Sequence, residues 1–151
     1  MNYKLNYNSN KNYRYILNVV DCFSKYAWSV PLKDKKGETV LDALKYSVKT
    51  SNRKPMYIWV DEGKEFYNKD MTAWLKDENI LRYSTHGEHK SAIAERYNRT
   101  LKERMWRRFI AENTRNWIDM LNELLSKYNN SYHSTIRMRP VEDKKKENES
   151  V

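Results

Sequence analysis

The sequence predicts an α/β fold in which helices cover both faces of a mixed β-sheet. The first observation is a run of β-branched and aromatic residues from Tyr13 to Lys33, which is too long for a single strand. The second is the pattern after this run, where helical and strand-like spacings alternate along the chain. A length of 151 residues is typical of one domain with its own core.

Two antiparallel strands are expected in the first run, divided by a tight turn at Phe23–Lys25. The segment Gly37–Ser51 follows, and its apolar residues recur at helical spacing, which predicts a helix. These apolar positions are Val40, Leu41, Leu44 and Val48.

The second half of the chain predicts a strand, a helix, a strand and two longer helices. The run PMYIWVD, ending at Asp61, is short and apolar and predicts a buried strand. The remaining elements are a helix at Lys69–Glu78, a strand at Ile80–Ser84, and helices at Ser91–Ile110 and Arg115–Asn130. Residues 140–151 are charged and lack an apolar pattern, so we predict a folded domain at 1–139 followed by a disordered tail.

The charge of the chain favours a polyanionic partner. The formal net charge is +9, and nucleic acid is the commonest partner of such a protein. A membrane surface is the rival, but the sequence shows no lipidation motif and no basic helix with a clean apolar face. It also shows no apolar run of the signal-peptide or transmembrane type. We therefore predict a nucleic-acid partner, no membrane association, and a location in the nucleus or cytoplasm.

Two acidic residues occupy positions that suit a chemical role. Asp61 follows a predicted strand, and functional groups of α/β sheets collect at the carboxyl ends of strands. A turn-forming Asp is the plainer alternative. Glu95 lies early in a basic helix, where an i,i+4 ion pair with Arg99 is the plainer alternative. Together, two carboxylates beside cationic side chains fit phosphoryl transfer on nucleic acid, which uses divalent ions held by oxygen ligands.

Three segments resemble the catalytic cores of retroviral and retrotransposon integrases, the DDE family with the ribonuclease H-like fold. They are VVDCFSKYAWSVPLK, WVDEGKEFYN and SAIAERYNRTLKERMW, and they stand in the family's order over nearly the whole chain. The strings FSKYAW, GKEFYN and ERYNRTLKERMW are most similar to integrases of Maverick/Polinton-type DNA transposons. The resemblance implies a mixed five-stranded sheet, Mg²⁺ or Mn²⁺ as the cofactor, transposon ends and target DNA as partners, and a homo-oligomer.

Carried over position by position, the resemblance assigns the site residues. Asp61 is similar to the family's second catalytic Asp and Glu95 to its catalytic Glu, so both would bind metal. Gly63 in the DxGxEF string would permit a tight turn. The implied activity is metal-dependent processing of transposon ends followed by strand transfer. The residues that would bind DNA are Lys90, Asn98, Arg99 and Lys102.

The family's first catalytic Asp has no match in the chain. Asp21 is tempting, but in the family an Asp in a DxFSK string lies at a strand end and is not a metal ligand. We expect the first Asp upstream of Met1, which would truncate the first strand and impair the chemistry. Asp21 would then hydrogen-bond the following turn, for instance through Ser24.

Two alternative functions remain open. The chain could be a catalytically inactive DNA-binding or assembly remnant of a transposon integrase, or a ribonuclease H-like nuclease that cuts DNA without joining it. The missing first Asp favours the inactive remnant, whereas the presence of Asp61 and Glu95 favours activity.

Overall fold

The computed structural model describes residues 10–84 and 92–143 of the chain. Within these ranges, the strands and helices follow one another in the predicted order. The strands are β1 (Tyr15–Val20), β2 (Ala27–Leu32), β3 (Tyr57–Val60) and β4 (Leu81–Ser84). The helices are α1 (Gly37–Ser51), α2 (Lys69–Asp77), α3 (Ala92–Glu112) and α4 (Leu121–Asn129). The predicted bounds of α1 are confirmed, and those of α2, α3 and β4 differ by no more than about two residues.

β1 and β2 form the predicted antiparallel hairpin, which divides the core of the molecule in two. Ile16 and Val20 of β1 pack with α3 and α4, whereas Leu17 and Val19 pack with α1 and α2. This follows from the alternation of side chains along a strand, which sends neighbouring residues to opposite faces. The hairpin is therefore covered by helices on both faces, as the predicted layered fold requires.

Three of the helices end in the same way. Asn52, Asn79 and Asn113 follow α1, α2 and α3, and their φ angles are 54°, 55° and 48°. Asn tolerates this left-handed conformation because its short side chain can hydrogen-bond locally, and it commonly terminates helices. Each Asn therefore supplies a stop at the end of its helix.

β3 and β4 form a parallel pair, in register from Tyr57↔Leu81 to Val60↔Ser84. The prediction that β3 is buried is wrong for one of its faces. Ile58 packs against the core formed with α1 and α2, but the ring of Trp59 on the opposite face is 37% exposed. It lies 6.0 Å from the ring of Tyr83, centroid to centroid. α1 and α2 cover one face only, so the aromatic side chains on the other face contact each other and solvent.

The described strands form two separate two-stranded sheets, β1–β2 and β3–β4. One pair is antiparallel and the other parallel, as expected for a mixed sheet. The first strand of the predicted five-stranded sheet falls on Met1–Tyr7, which lies outside the described residues.

The last predicted helix begins later than expected. We placed its start at Arg115, but α4 begins at Leu121. The cause is Asn10, whose side-chain oxygen accepts hydrogen bonds from the backbone N–H groups of Trp117, at 2.7 Å, and Ile118, at 3.1 Å. Its amide nitrogen donates to the carbonyl of Arg115, at 3.1 Å. These bonds hold the segment before α4 in a non-helical conformation.

The structure also differs from the predicted tail at its first four residues. Residues 140–143 form a helical turn, and the side chain of Pro140 is fully buried. The rest of the predicted tail lies outside the described residues. None of the helices within 10–84 and 92–143 has the length and apolar character needed to cross a membrane.

Candidate functional site

Asp61 stands directly after β3, at the carboxyl end of the parallel pair, and its side chain is exposed. Its Oδ1 accepts a hydrogen bond from the backbone N–H of Gly63, at 3.0 Å. This is the local turn that the plainer alternative predicted for Asp61. The bond engages one carboxylate oxygen, so it is compatible with a ligand role for the other oxygen.

The loop after Asp61 is held against the parallel pair by Arg82. The guanidinium of Arg82 donates to the carbonyl of Phe66, at 2.7 Å, and its Cζ lies 4.1 Å from the centre of the Tyr67 ring. Tyr67 in turn hydrogen-bonds the hydroxyl of Ser84. The loop therefore has a defined position at the strand ends.

Gly63 does not need the conformational freedom predicted for it, because its φ lies outside the left-handed region. A Cβ at this position would meet the carboxyl group of Glu65, at 2.3 Å. That group is the end of a flexible side chain and can move aside.

Glu95 lies in the first turn of α3 and is exposed. Among the residues that the structure describes, no ion pair joins Glu95 to Arg99, so the plainer alternative for Glu95 is not observed. Arg99 and Lys102 are exposed too, and they follow Glu95 by four and seven residues. This spacing places the three side chains on one face of the helix. α3 thus presents an acid followed by two cations along the same face.

The other two predicted DNA-binding residues have different positions. The side-chain oxygen of Asn98 accepts a hydrogen bond from Asn18 of β1, at 2.7 Å. Asn98 is therefore engaged in holding α3 against the hairpin. Lys90 falls outside the described residues.

Asp21 lies at the end of the β1–β2 hairpin, and its carboxylate is occupied. The predicted hydrogen bond from the Ser24 hydroxyl is confirmed, at 2.6 Å, and the backbone N–H of Phe23 donates as well, at 3.1 Å. Arg53 forms an ion pair with the same carboxylate, at 3.2 Å.

The contact with Arg53 also locates Asp21 relative to Asp61. Arg53 precedes β3, whereas Asp61 follows it. The four residues of β3 extend over roughly 13 Å. Asp21 and Asp61 therefore lie toward opposite ends of β3, which argues against a shared metal ion.

The chemistry of the donors decides whether a divalent metal fits here. Asp61 and Glu95 are exposed carboxylates, the oxygen ligands that Mg²⁺ and Mn²⁺ prefer. Across residues 10–84 and 92–143, however, no group of three or more His, Cys, Asp or Glu residues is arranged to hold a metal ion. The two acids fit as ligands, but the described residues do not complete a three-carboxylate site.

Asn18 and Arg82 position parts of this site and were not among the predicted site residues. Asn18 is the single polar residue of the strand YILNVV apart from the tyrosine hydroxyl, and Arg82 is the single charged residue of the strand LRYS. A polar side chain within such a strand needs a partner, because burying it without a hydrogen bond is costly. That interruption of the apolar pattern is the signal that could have identified both residues.

The chain matches the family model of the integrase core domain over residues 3–90. An uncharacterized transposon-derived protein of Caenorhabditis elegans is 35% identical over 128 residues, which make up 85% of this chain and 45% of that protein. This chain therefore spans less than half the length of that relative.

Solved structures give the same result at the level of the fold. The HTLV-2 integrase catalytic core domain, in its trimeric form in complex with magnesium, has a TM-score of 0.75 and 16% identity, covering 94% of this chain and 88% of that chain. The catalytic core domain of BIV integrase has a TM-score of 0.72 and 14% identity, covering 89% of this chain and 94% of that chain. The predicted ribonuclease H-like fold is confirmed.

Proposed function

This chain belongs to the integrase core domain family, and from that premise we propose that it binds DNA and performs metal-dependent end processing and strand transfer. The observation that carries the proposal is the face of α3 on which exposed Arg99 and Lys102 follow exposed Glu95. Asp61, at the carboxyl end of β3, supplies the second acid.

In this proposal, Asp61 and Glu95 would hold Mg²⁺ or Mn²⁺. A divalent ion bound there would supply charge stabilisation to the phosphodiester and activate the attacking oxygen. The side chains of Asp61 and Glu95 would determine where that ion binds. The Gly63 N–H holds one oxygen of Asp61, so the direction of the other is limited by the turn. Glu95 is carried by a helix whose following turns are buried in the core.

Arg99 and Lys102 would hold the DNA backbone. Both side chains are cationic and exposed, and they lie one and two helical turns beyond Glu95. Phosphate contacts position a duplex without reading its sequence. These two residues would therefore set how the scissile phosphate approaches the acids.

The direct test is strand transfer of a labelled duplex that carries the terminal-repeat sequence flanking the element that encodes this chain. We expect product with Mg²⁺ or Mn²⁺, and loss of at least about 100-fold in Asp61→Asn and Glu95→Gln, because each removes a metal ligand. Asp42→Asn, which changes an exposed acid on α1, should leave the rate unchanged. Asp21→Asn should retain activity if its circular-dichroism melting curve shows a folded protein.

The outcomes of this assay separate the possible functions. Loss of product in Asp42→Asn as well as in the site variants would contradict the assignment of the acids. Cleaved duplex without joined product would indicate the nuclease alternative. Loss in a folded Asp21→Asn would make Asp21 a catalytic acid and contradict its turn role.

DNA binding is tested separately through its salt dependence. The logarithm of the affinity should fall with the logarithm of the salt concentration, with a slope of about 0.9 for each phosphate contact. Arg99→Gln and Lys102→Gln should each reduce the magnitude of that slope by about 0.9, the value for one phosphate contact. The matched control Lys45→Gln, an exposed lysine on α1, should reproduce the unmodified slope in fluorescence anisotropy. An equal reduction in the control would mean that binding is not localised to α3.

A second candidate is an inactive DNA-binding or assembly module. It is favoured by the lack of a three-acid group among the residues that the structure describes and by the ion pair of Asp21 with Arg53, which precedes β3. Salt-dependent DNA binding without cleavage or joining, in either metal, would support it.

The relative from HTLV-2 is named as a trimer, and we expect this chain to self-associate as well. Sedimentation equilibrium at several protein concentrations tests that expectation.

A further inference from the structure

A chain of hydrogen bonds connects the β1–β2 hairpin to the helix that carries Glu95. Asn18 of β1 and Ser29 of β2 are directly opposite each other in the antiparallel register, so their side chains share one face of the hairpin. That face is the one covered by α3 and α4, because Ile16 and Ala27 of the same face pack in their core. Asn18 therefore lies beneath α3.

The direction of each bond in this chain can be worked out. The Ser29 hydroxyl donates to Oδ1 of Asn18, at 2.7 Å, and so uses its single hydrogen. The Tyr97 hydroxyl lies 2.6 Å from the same Ser29 oxygen, so Tyr97 is the donor there. Nδ2 of Asn18 donates to Oδ1 of Asn98, at 2.7 Å. The bonds thus run from Tyr97 through Ser29 and Asn18 to Asn98.

The burial of Tyr97 makes this arrangement persistent. Its side chain is 1% exposed, and burial raises the pKa of its hydroxyl to about 12. The hydroxyl therefore keeps its proton, and remains a donor, across the neutral range. Ser29 is buried as well, so breaking either bond would leave a polar group without water.

Both ends of the network attach to consecutive residues of α3, Tyr97 and Asn98. Consecutive helical residues point about 100° apart, so attachment at both resists rotation of α3 about its axis. Glu95 precedes Asn98 by three residues and lies on a neighbouring part of the same surface. Any rotation at Asn98 would therefore displace the Glu95 carboxylate.

We propose that Asn18 is a positioning residue, which fixes Asn98 and thereby the rotation of the first turns of α3 that carry Glu95. This inference rests on the proposed function for its consequence, the placement of a metal-binding acid. Its structural part can be measured without metal or DNA. An experiment can therefore contradict the positioning of α3 without contradicting the metal site, and the reverse also holds.

The structural part is tested by residual dipolar couplings of the α3 amides, which report the orientation of the helix relative to the hairpin. We expect changed or averaged couplings in Asn18→Leu, which has a similar size but cannot bond to Asn98 or Ser29. Asn10→Ala is the control, since it disturbs the segment before α4 and leaves the bonds of Asn18 in place. Couplings in Asn18→Leu equal to those of the unmodified chain would overturn the proposal. If Asn18→Leu does not fold, Asn18→Thr replaces it, because its hydroxyl is too short to reach Asn98.

The functional part is tested by paramagnetic broadening of the amide signals of residues 61 and 95 during a Mn²⁺ titration. Loss of a residue that orients a metal ligand weakens metal binding by about 10–100-fold, and we expect about tenfold for Asn18→Leu. Asn98→Leu should give the same factor, and the double variant should be no weaker than either single one. Factors that multiply in the double variant, or a shift in Asn10→Ala equal to that in Asn18→Leu, would overturn the role of Asn18.

The Mn²⁺ titration of the unmodified chain separates this inference from the proposed function. No broadening at either acid, with altered couplings in Asn18→Leu, would overturn the metal site and support the positioning of α3. Broadening in the unmodified chain with unaltered couplings in Asn18→Leu would support the metal site and overturn the positioning.

Discussion

The two acids of the candidate site belong to parts of the molecule that are held in different ways. Glu95 is on α3, whose inner face is buried against the hairpin and α4, with a hydrogen-bond network beneath it. Asp61 follows β3, whose outer face is partly exposed, and its loop is held by contacts of Arg82 and Tyr67. The hydrogen bonds of Tyr97 are deeply buried, whereas those of the loop are partly or fully exposed. The Glu95 side is therefore expected to be rigid and the Asp61 side to be more easily deformed.

The largest expected difference is in apolar packing. Leu101 of α3 is 1% exposed, and Leu101→Ala should lower the free energy of unfolding by about 2–5 kcal/mol because it leaves a cavity. Leu81 of β4 is 54% exposed, and the same change there should cost less than about 1 kcal/mol. Urea denaturation followed by circular dichroism measures both. Equal losses would contradict the difference between the two parts.

The next effect concerns a side chain that acts as a strand partner. Asn129 accepts from the backbone N–H of Ala27, at 2.9 Å, and donates to its carbonyl, at 3.0 Å. Asn129→Ala should cost about 1–3 kcal/mol, since buried backbone groups lose their partners. The neighbouring Asn130 makes an exposed bond to the carbonyl of Ser126, and Asn130→Ala should change stability by less than about 0.5 kcal/mol. A loss in Asn130→Ala as large as that in Asn129→Ala, in the same urea assay, would contradict this role.

A smaller effect is expected on the Asp61 side, at the start of α2. Asn68 accepts from the N–H of Met71, at 2.9 Å, and donates to the carbonyls of Lys64 and Glu65. Asn68→Ala should cost about 1 kcal/mol through loss of the helix cap. Asn68→Asp keeps the cap acceptor but cannot donate, so it should recover most of that stability in a thermal melt. If Asn68→Asp is as unstable as Asn68→Ala, the bonds to the loop dominate over the cap.

The smallest effect is electrostatic and depends on pH. Hydrogen bonds from Lys127 and Arg108 lower the pKa of Glu123 below its ordinary value of 4.5. A carboxyl whose pKa is lowered in the folded state stabilises the protein above the unfolded pKa, and this contribution is lost as the pH falls through the lower folded value. Glu123→Gln should therefore make stability fall less steeply below pH 4.5, measured by urea denaturation at stepped pH. A steeper fall would contradict the assigned direction. Because the ion pairs are exposed, the change should be slight.

The sequence predicted the order of the elements because apolar spacing and turn residues mark each of them locally. It also predicted the contact of Asp21 with Ser24, since that bond joins residues three positions apart. The predicted start of α4 was wrong, because Asn10 bonds to the preceding segment from more than a hundred residues away along the chain. The prediction that β3 is buried was wrong for a related reason. An apolar run indicates that a strand can be buried, but it does not indicate how many faces of the strand are covered.

The candidate site shows the same limit. The two acids were named from their positions in matching strings, but nothing in those strings indicated that Asn98 is bound by Asn18, 80 residues earlier. Partners at such separations depend on the register between strands and helices. A single sequence does not specify that register, so the positioning residues emerged only from the structure.

The bond between Asn129 and Ala27 has a consequence for synthesis of the protein. Ala27 leaves the ribosome 102 residues before the side chain that completes its hydrogen bonds. At about 5–20 residues per second, the backbone N–H and carbonyl of Ala27 wait roughly 5–20 s for that partner. The Ala27 end of β2 therefore acquires its native backbone partner only after α4 has been translated.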